Sequence, residues 1–316
     1  MPLFSQKARA LSGRAALVIA ALALPLAAAQ TAFAETFKVP ETAEERDALA
    51  HSAEAGDPDA LYLVGALGIE GRVRDMPRED ALAALLQAAE AGQVEANHLL
   101  GVMFATGQLV RQDQARAASH LEVAANAGHA AAQEALAQAY LAGAGVPQDS
   151  AQALHWLEQA AAQDGAAARV NLAVLLLNGD ASVRNPERGL ALLSEAAQEG
   201  LPAAQHNLAW VYQQGESVAS DPGLALSWYR QAADRGYQRS QYNLGGMLLD
   251  PEFAGFDPVE GLSWLMLAAA GDNAEIKEQA TGLLHELAAE TPPNLLNEAG
   301  ERARITAMRA GMSSGQ

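Results

Sequence analysis

Apolar and polar positions along this chain recur every 36 residues. Stepping by that interval from Ala88 gives Ala124, Ala160, Ala196, Ala232 and Ala268, and the next column reads Ala89, Ala125, Ala161, Ala197, Ala233 and Ala269. A second column runs Ala60, Ala96, Ala132, Ala168, Ala204 and Ser240; four positions on it becomes Val64, Leu100, Leu136, Leu172, Leu208 and Leu244. Small residues follow that leucine at Gly65, Gly101, Ala137, Ala173, Ala209 and Gly245. Spacing of i, i+4, i+5 and i+8 places these residues on one helical face, so each unit predicts a first helix. Glycines at 71, 107, 143, 179 and 215 close it, because glycine accepts the left-handed backbone of a helix end. A second helix starts at Asp113, Asp149, Asn185, Asp221 and Asp257, whose side chains can accept from open backbone amides. Pro186, Pro222 and Pro258 follow at the first helical position, where no N–H is needed.

A helix pair of this size cannot bury its apolar stripe alone, so neighbours must stack into a continuous core. The pattern therefore predicts an all-α, right-handed α-solenoid of about six 36-residue helix-turn-helix repeats over 59–274. Atypical end segments are expected to cover the open core. Upstream, 35–58 forms an N-terminal capping segment in which 44–56 matches only a second helix. Downstream, 275–316 holds a degenerate first helix over 275–290, the break Pro292-Pro293, a last helix over 294–310 and a tail.

These columns resemble the Sel-1-like repeat family, relatives of tetratricopeptide repeats with a longer loop between helices. The third unit carries the family pattern as Ala132, Leu136, Tyr140, Gly143, Gly145, Val146, Asp149, Ala153, Trp156, Ala160 and Ala161. The fifth carries it from Ala204, Leu208 and Tyr212 through Trp228 to Gly236. The sixth departs with Pro251 in the turn-glycine column, and the fourth with Leu176 for the tyrosine and Leu192 for the tryptophan. The resemblance implies a protein–protein interaction module, often an adaptor or regulator in signalling, secretion or envelope processes. Exported bacterial members include periplasmic proteins that hold a sensor kinase in check. A cysteine-rich branch is linked to penicillin binding and hydrolysis, but this chain has no cysteine.

The first 34 residues read as a secretory signal peptide: basic Lys7, Arg9 and Arg14, an apolar run over 15–29, and Ala32-Phe33-Ala34 before Glu35. The apolar run is shorter than the ~20 residues that span a bilayer, so cleavage rather than anchoring is expected. The mature chain is then exported, periplasmic and without a stable membrane anchor. Net charge is −18, and removal of the first 34 residues leaves −21, which repels phosphate backbones and argues against a nucleic-acid partner. Without cysteine, disulfides, thiol catalysis and Fe–S clusters are excluded.

Reactive motifs are absent: no G-x-S-x-G, S-x-x-K, H-E-x-x-H, Walker A or EF-hand pattern occurs. Glu95 and His98 make one E-x-x-H, half of a di-metal carboxylate motif whose second copy is missing. No metal, cofactor or catalysis is therefore expected, and the reading is a non-catalytic module that binds a protein of the cell envelope. A cell-envelope enzyme or peptidoglycan binder stands as the alternative. Candidate partner-binding residues lie on the first helices, which in such stacks line the concave surface. Asn171, Asn207 and Asn243 form one column that either grips a partner backbone or ties one unit to the next. Trp210 breaks its own column, and beside His206, with Tyr242 one unit on, it either anchors a partner or fills space against Gly245-Gly246. The column Asn97, Gln133, Arg169, Gln205 and Gln241 is polar throughout and reads as solvated, with Arg169 its one charge.

Overall fold

Five capping side chains start second helices as their column predicts. Asp113 accepts from Arg116 N at 3.0 Å, Asp149 from Gln152 N at 3.0 Å, Asn185 from Arg188 N at 3.1 Å, and Asp221 and Asp257 each from the third amide on at 2.9 Å. Helix starts so fixed recur along a chain that, among the described residues, folds into fifteen helices and no strand. The computed structural model describes residues 40, 42–73, 76–163, 165–289 and 291–311. The expected signal peptide lies outside the described residues, as do 35–39 of the capping segment and 312–316 of the tail.

The chain divides into two compact units whose boundary falls within one helix. The N-terminal unit comprises α1 (Ala43–Glu54), α2 (Pro58–Ile69), α3 (Arg78–Glu90), α4 (Val94–Thr106), α5 (Gln114–Asn126), α6 (Ala130–Ala142), α7 (Ser150–Ala161) and the start of α8 (Ala166–Asn178). The C-terminal unit takes the end of α8 and then α9 (Pro186–Gln198), α10 (Pro202–Gln214), α11 (Pro222–Asp234), α12 (Gln238–Leu248) and α13 (Pro258–Ala270). It ends with α14 (Ala274–Ala288) and α15 (Pro293–Arg309). Each unit is a run of the helix-turn-helix repeat from which α-solenoids are built. In the N-terminal unit α2 pairs with α3, α4 with α5 and α6 with α7; in the C-terminal unit α10 pairs with α11 and α12 with α13.

First and second helices play different parts in packing. Every residue from Ala96 to Phe104 in α4 is buried, so this first helix is covered on all sides. A second helix such as α5 buries one stripe only, Ala117, Ala118, Leu121, Ala124 and Ala125, and leaves the opposite face wet. The small residue after the core leucine allows the two to meet closely. A Cβ built on Gly101 would lie 2.7 Å from Leu121 Cγ, and one on Gly245 would lie 2.9 Å from the Gly261 carbonyl. At the C-terminal end, α15 lays Ala299, Ala303 and Ala307 on α13. The half-buried Glu260 of α13 ties its neighbours together. Its carboxylate accepts from Arg230 on α11 at 2.9 Å, pairs with Arg302 on α15 at 2.9 Å and accepts from Trp264 Nε1 at 3.1 Å.

Candidate functional site

The seven candidate residues fall into two groups, one in each compact unit. Arg169 and Asn171 belong to the N-terminal unit; His206, Asn207, Trp210, Tyr242 and Asn243 belong to the C-terminal unit. Arg169 is half-buried, whereas Asn171 is buried. Asn171 donates from Nδ2 to Glu134 Oε2 at 3.5 Å, a link between one unit of the repeat and the one before it. Burial raises the pKa of the Glu134 carboxyl, and the Asn171 amide opposes that rise.

In the C-terminal unit the covered position of α10 turns His206 and Asn207 inward, and both are buried. His206 Nδ1 bonds Ser240 Oγ at 2.9 Å, and its ring packs against Tyr229 and Tyr237 at centroid distances of 5.4 and 5.3 Å. Burial, with Arg239 adding to it, lowers the His206 pKa to about 3, so the ring is neutral at physiological pH. Tyr229 donates to Gln213 Oε1 at 2.9 Å and accepts from Asn243 Nδ2 at 3.3 Å. A polar thread thus runs from buried Ser240 and His206 past Tyr229 to half-buried Asn243. Trp210 and Tyr242 are also half-buried, Trp210 against the cluster that holds Tyr229, Leu244 and Trp264, and Tyr242 against Leu249 and Ile276. Only Arg169, Trp210, Tyr242 and Asn243 of the seven keep surface that a partner can touch. Asn171, His206 and Asn207 are interior, because first helices are enclosed where one open face was expected.

Four of the five residues in the polar column read as solvated, Asn97, Gln133, Gln205 and Gln241, are buried instead, and Arg169 is half-buried. Asn97 Nδ2 donates to the Ala89 carbonyl at 3.0 Å, Gln133 Nε2 to Ala125 at 3.1 Å, Gln205 Nε2 to Ala197 at 3.1 Å and Gln241 Nε2 to Ala233 at 3.3 Å. Each acceptor lies in the last turn of a second helix, where carbonyls lack helical partners. The same carbonyl also accepts from the unit-closing glycine, as Ala197 O does from Gly200 N at 3.1 Å. The signal was present in the spacing: an amide side chain recurs eight residues after the second alanine of the pair.

Glu95 and His98 have different neighbours. Glu95 accepts from Gln93 Nε2 at 2.7 Å, while His98 stacks on His129 with ring centroids 4.2 Å apart. Burial first, then His129, lowers the His98 pKa to about 3. Among the described residues no group of three or more His, Asp or Glu is placed to hold a metal ion, and no helix is long and apolar enough to cross a membrane.

The Sel1 repeat model matches five consecutive stretches, 94–129, 130–165, 166–201, 202–237 and 238–273, which together exceed half of the chain. The chain belongs to the Sel1 repeat family. The hairpin of α2 and α3 stands upstream of the matched repeats. This Sel1 repeat protein is similar to a crystal structure of a Sel1 repeat protein from Oxalobacter formigenes, with TM-score 0.60, 26% identity, and coverage of 82% of this chain and 75% of that one. A protective antigen of uropathogenic Escherichia coli shares 21% identity at TM-score 0.35, over 85% of this chain and 73% of its own. An immunity protein from Pseudomonas aeruginosa shares 20% at TM-score 0.39, over 82% and 89%. No curated protein matches the sequence. Sel1 repeat proteins are in general protein–protein interaction modules, and their fold is typically a non-catalytic interaction scaffold.

Proposed function

We propose that this Sel1 repeat protein is an exported, periplasmic adaptor or regulator, non-catalytic, that holds a protein of the cell envelope such as the periplasmic domain of a sensor kinase. The observation that carries the reading is aromatic surface left half-buried on two first helices, Trp210 on α10 and Tyr242 next to Asn243 on α12. Such aromatics supply large contact area at small cost in side-chain freedom. Arg169 is a separate contact in the N-terminal unit. The segment 1–34, with its basic start and Ala32-Phe33-Ala34, supports export. The acidic chain, at −18, favours a basic patch on the partner and predicts binding that weakens with salt.

Photo-crosslinking in cells from a reactive amino acid at position 210 or 242, followed by mass spectrometry, tests both the partner and its compartment. The expected product joins this chain to one envelope protein, and Trp210→Ala at an unchanged melting temperature reduces it. Equal capture by wild type and Trp210→Ala, or adducts confined to cytoplasmic proteins, refutes the proposal.

A further inference from the structure

One place in the repeat is packed in two different ways. In the C-terminal unit Trp210, Ala225, Leu226, Tyr229 and Met247 join one apolar cluster between α10, α11 and α12. Their counterparts three repeats earlier, between α4, α5 and α6, are Val102, Ala117, Ala118, Leu121 and Ala139. Four of these five are smaller, and all five line a hollow of about 270 Å³ that is open to solvent on one side. Tyr229 shows what the hollow lacks. Its hydroxyl is held by Gln213 at 2.9 Å and Asn243 at 3.3 Å, and the counterparts of those two residues, Ala105 and Ala135, also line the hollow. Small residues at Gly245 and Gly261 let two helices close on each other, whereas these alanines leave the space open.

Size and polarity decide what fits there. An apolar cavity of about 150 Å³ takes one benzene ring, and small-molecule sites run from about 300 Å³ upward. The hollow falls between the two, at the scale of a two-ring side chain. None of the side chains lining it is charged, so it neither selects nor repels an ion. Thr106 donates its hydroxyl to the Val102 carbonyl at 2.9 Å and asks nothing of a guest. Gln114 differs. Its Nε2 donates to the Ala105 carbonyl at 3.0 Å, which fixes the amide, and among the described residues no group donates to its Oε1. An aromatic ring that brings an N–H answers that acceptor.

We infer that the hollow between α4, α5 and α6 receives a tryptophan side chain of a protein partner, its ring packed as the C-terminal unit packs its own aromatics and its N–H on Gln114. Aromatic anchors seated in such sockets carry much of the energy of protein interfaces. The inference rests on the reading of the chain as a protein-binding module but not on Trp210 or on export, so capture through position 210 and binding at the hollow can each fail alone. Fluorine NMR of the peptide acetyl-Gly-(5-fluoro-Trp)-Gly-amide, titrated with the full chain, should show saturable line broadening. The same peptide with 4-fluoro-Phe should bind about tenfold more weakly, and Gln114→Met should narrow that difference. Ala118→Leu with Ala139→Met introduces the residue types found at Leu226 and Met247. This pair should fill the hollow, abolish broadening and leave the melting temperature unchanged or raised. Val102→Trp, after Trp210, is the second filling variant, with the same loss expected and circular dichroism checking its fold. Absence of saturable broadening overturns the inference, as does broadening that a folded filling variant leaves unchanged. Free 5-fluoroindole binding where the peptide does not overturns it too, by making a small molecule the occupant.

Discussion

Ala197 and Gln205 show how one side chain joins consecutive helices. The Ala197 carbonyl ends α9 with one helical partner missing, and the Gln205 amide from α10 supplies it from a buried position. Replacing Gln205 with leucine keeps the volume and removes the donor, so the expected loss is about 1–3 kcal/mol by urea unfolding. A change at exposed Ser227 should leave the midpoint where it is. Buried histidines add a second residue effect, one with a definite sign. His98 and His206 both sit near 3, against 6.5 for an exposed imidazole, and the titratable groups facing them are His129 for one, Arg239, Tyr229 and Tyr237 for the other. Above pH 6.5 the folded and unfolded chains both carry neutral rings, and their contribution is intact. Below it the unfolded chain takes up protons that the folded one refuses, so stability falls by about 1.4 kcal/mol per pH unit for each ring until about 3. Glu134, whose pKa is raised, works in the opposite direction and gains from acid. Unfolding free energies measured between pH 7 and 5 should therefore decline, and His98→Gln with His206→Gln should flatten the slope. An unchanged slope in that double variant would show that these rings are not buried as neutral groups.

Second helices bind to first helices through surfaces with no room to spare, and this is where the sequence columns acquire their meaning. Ala197 is almost wholly buried, as are Ala125 and Ala233 of the same column. Leucine at 197 would overpack this buried position, at a cost of about 1–3 kcal/mol. Gly245→Ala should cost a similar amount, because its new methyl would meet the Gly261 carbonyl, a backbone atom, at 2.9 Å. Gly282→Ala is the control, since nothing lies within 4 Å of a Cβ there, and helix propensity makes it neutral or stabilising. Differential scanning calorimetry of the three variants should rank Gly282→Ala above wild type or level with it, and the other two below. If Gly245→Ala melted with wild type, the close approach of α12 and α13 would be wrong.

Legibility from sequence differs between the stack and the surface it presents, for a physical reason. Period, helix boundaries, caps and core columns are set by local backbone demands and by burial repeated unit after unit, so they leave marks at fixed intervals. Which polar residues face solvent depends on how completely neighbouring helices enclose a first helix, and that leaves no periodic mark. Gln205 and Arg169 share a column, yet one is buried and the other half-exposed. Trp210 stood out because its column does not ask for an aromatic, while the hollow between α4, α5 and α6 lies among alanines that nothing in the sequence sets apart. The same periodicity makes a strong demand on deletions. Removal of 202–237 takes out one whole unit from within the C-terminal unit, and each column then closes on its own kind. Gln241 arrives eight residues after Ala197 in place of Gln205, Leu244 replaces Leu208, and Asp257 replaces the cap Asp221. Stacks of this kind draw stability from each unit and its nearest neighbours, so the shortened chain should stay helical and melt cooperatively at a lower temperature. Removal of only 202–219 leaves Gly223 in the position of Gln205 and puts a second helix where a first helix must be enclosed. Circular dichroism at 222 nm through a thermal melt separates the two: the 36-residue deletion should keep a single sharp transition, and the 18-residue deletion should lose it. Equal behaviour of both would mean that register between units does not hold this fold together.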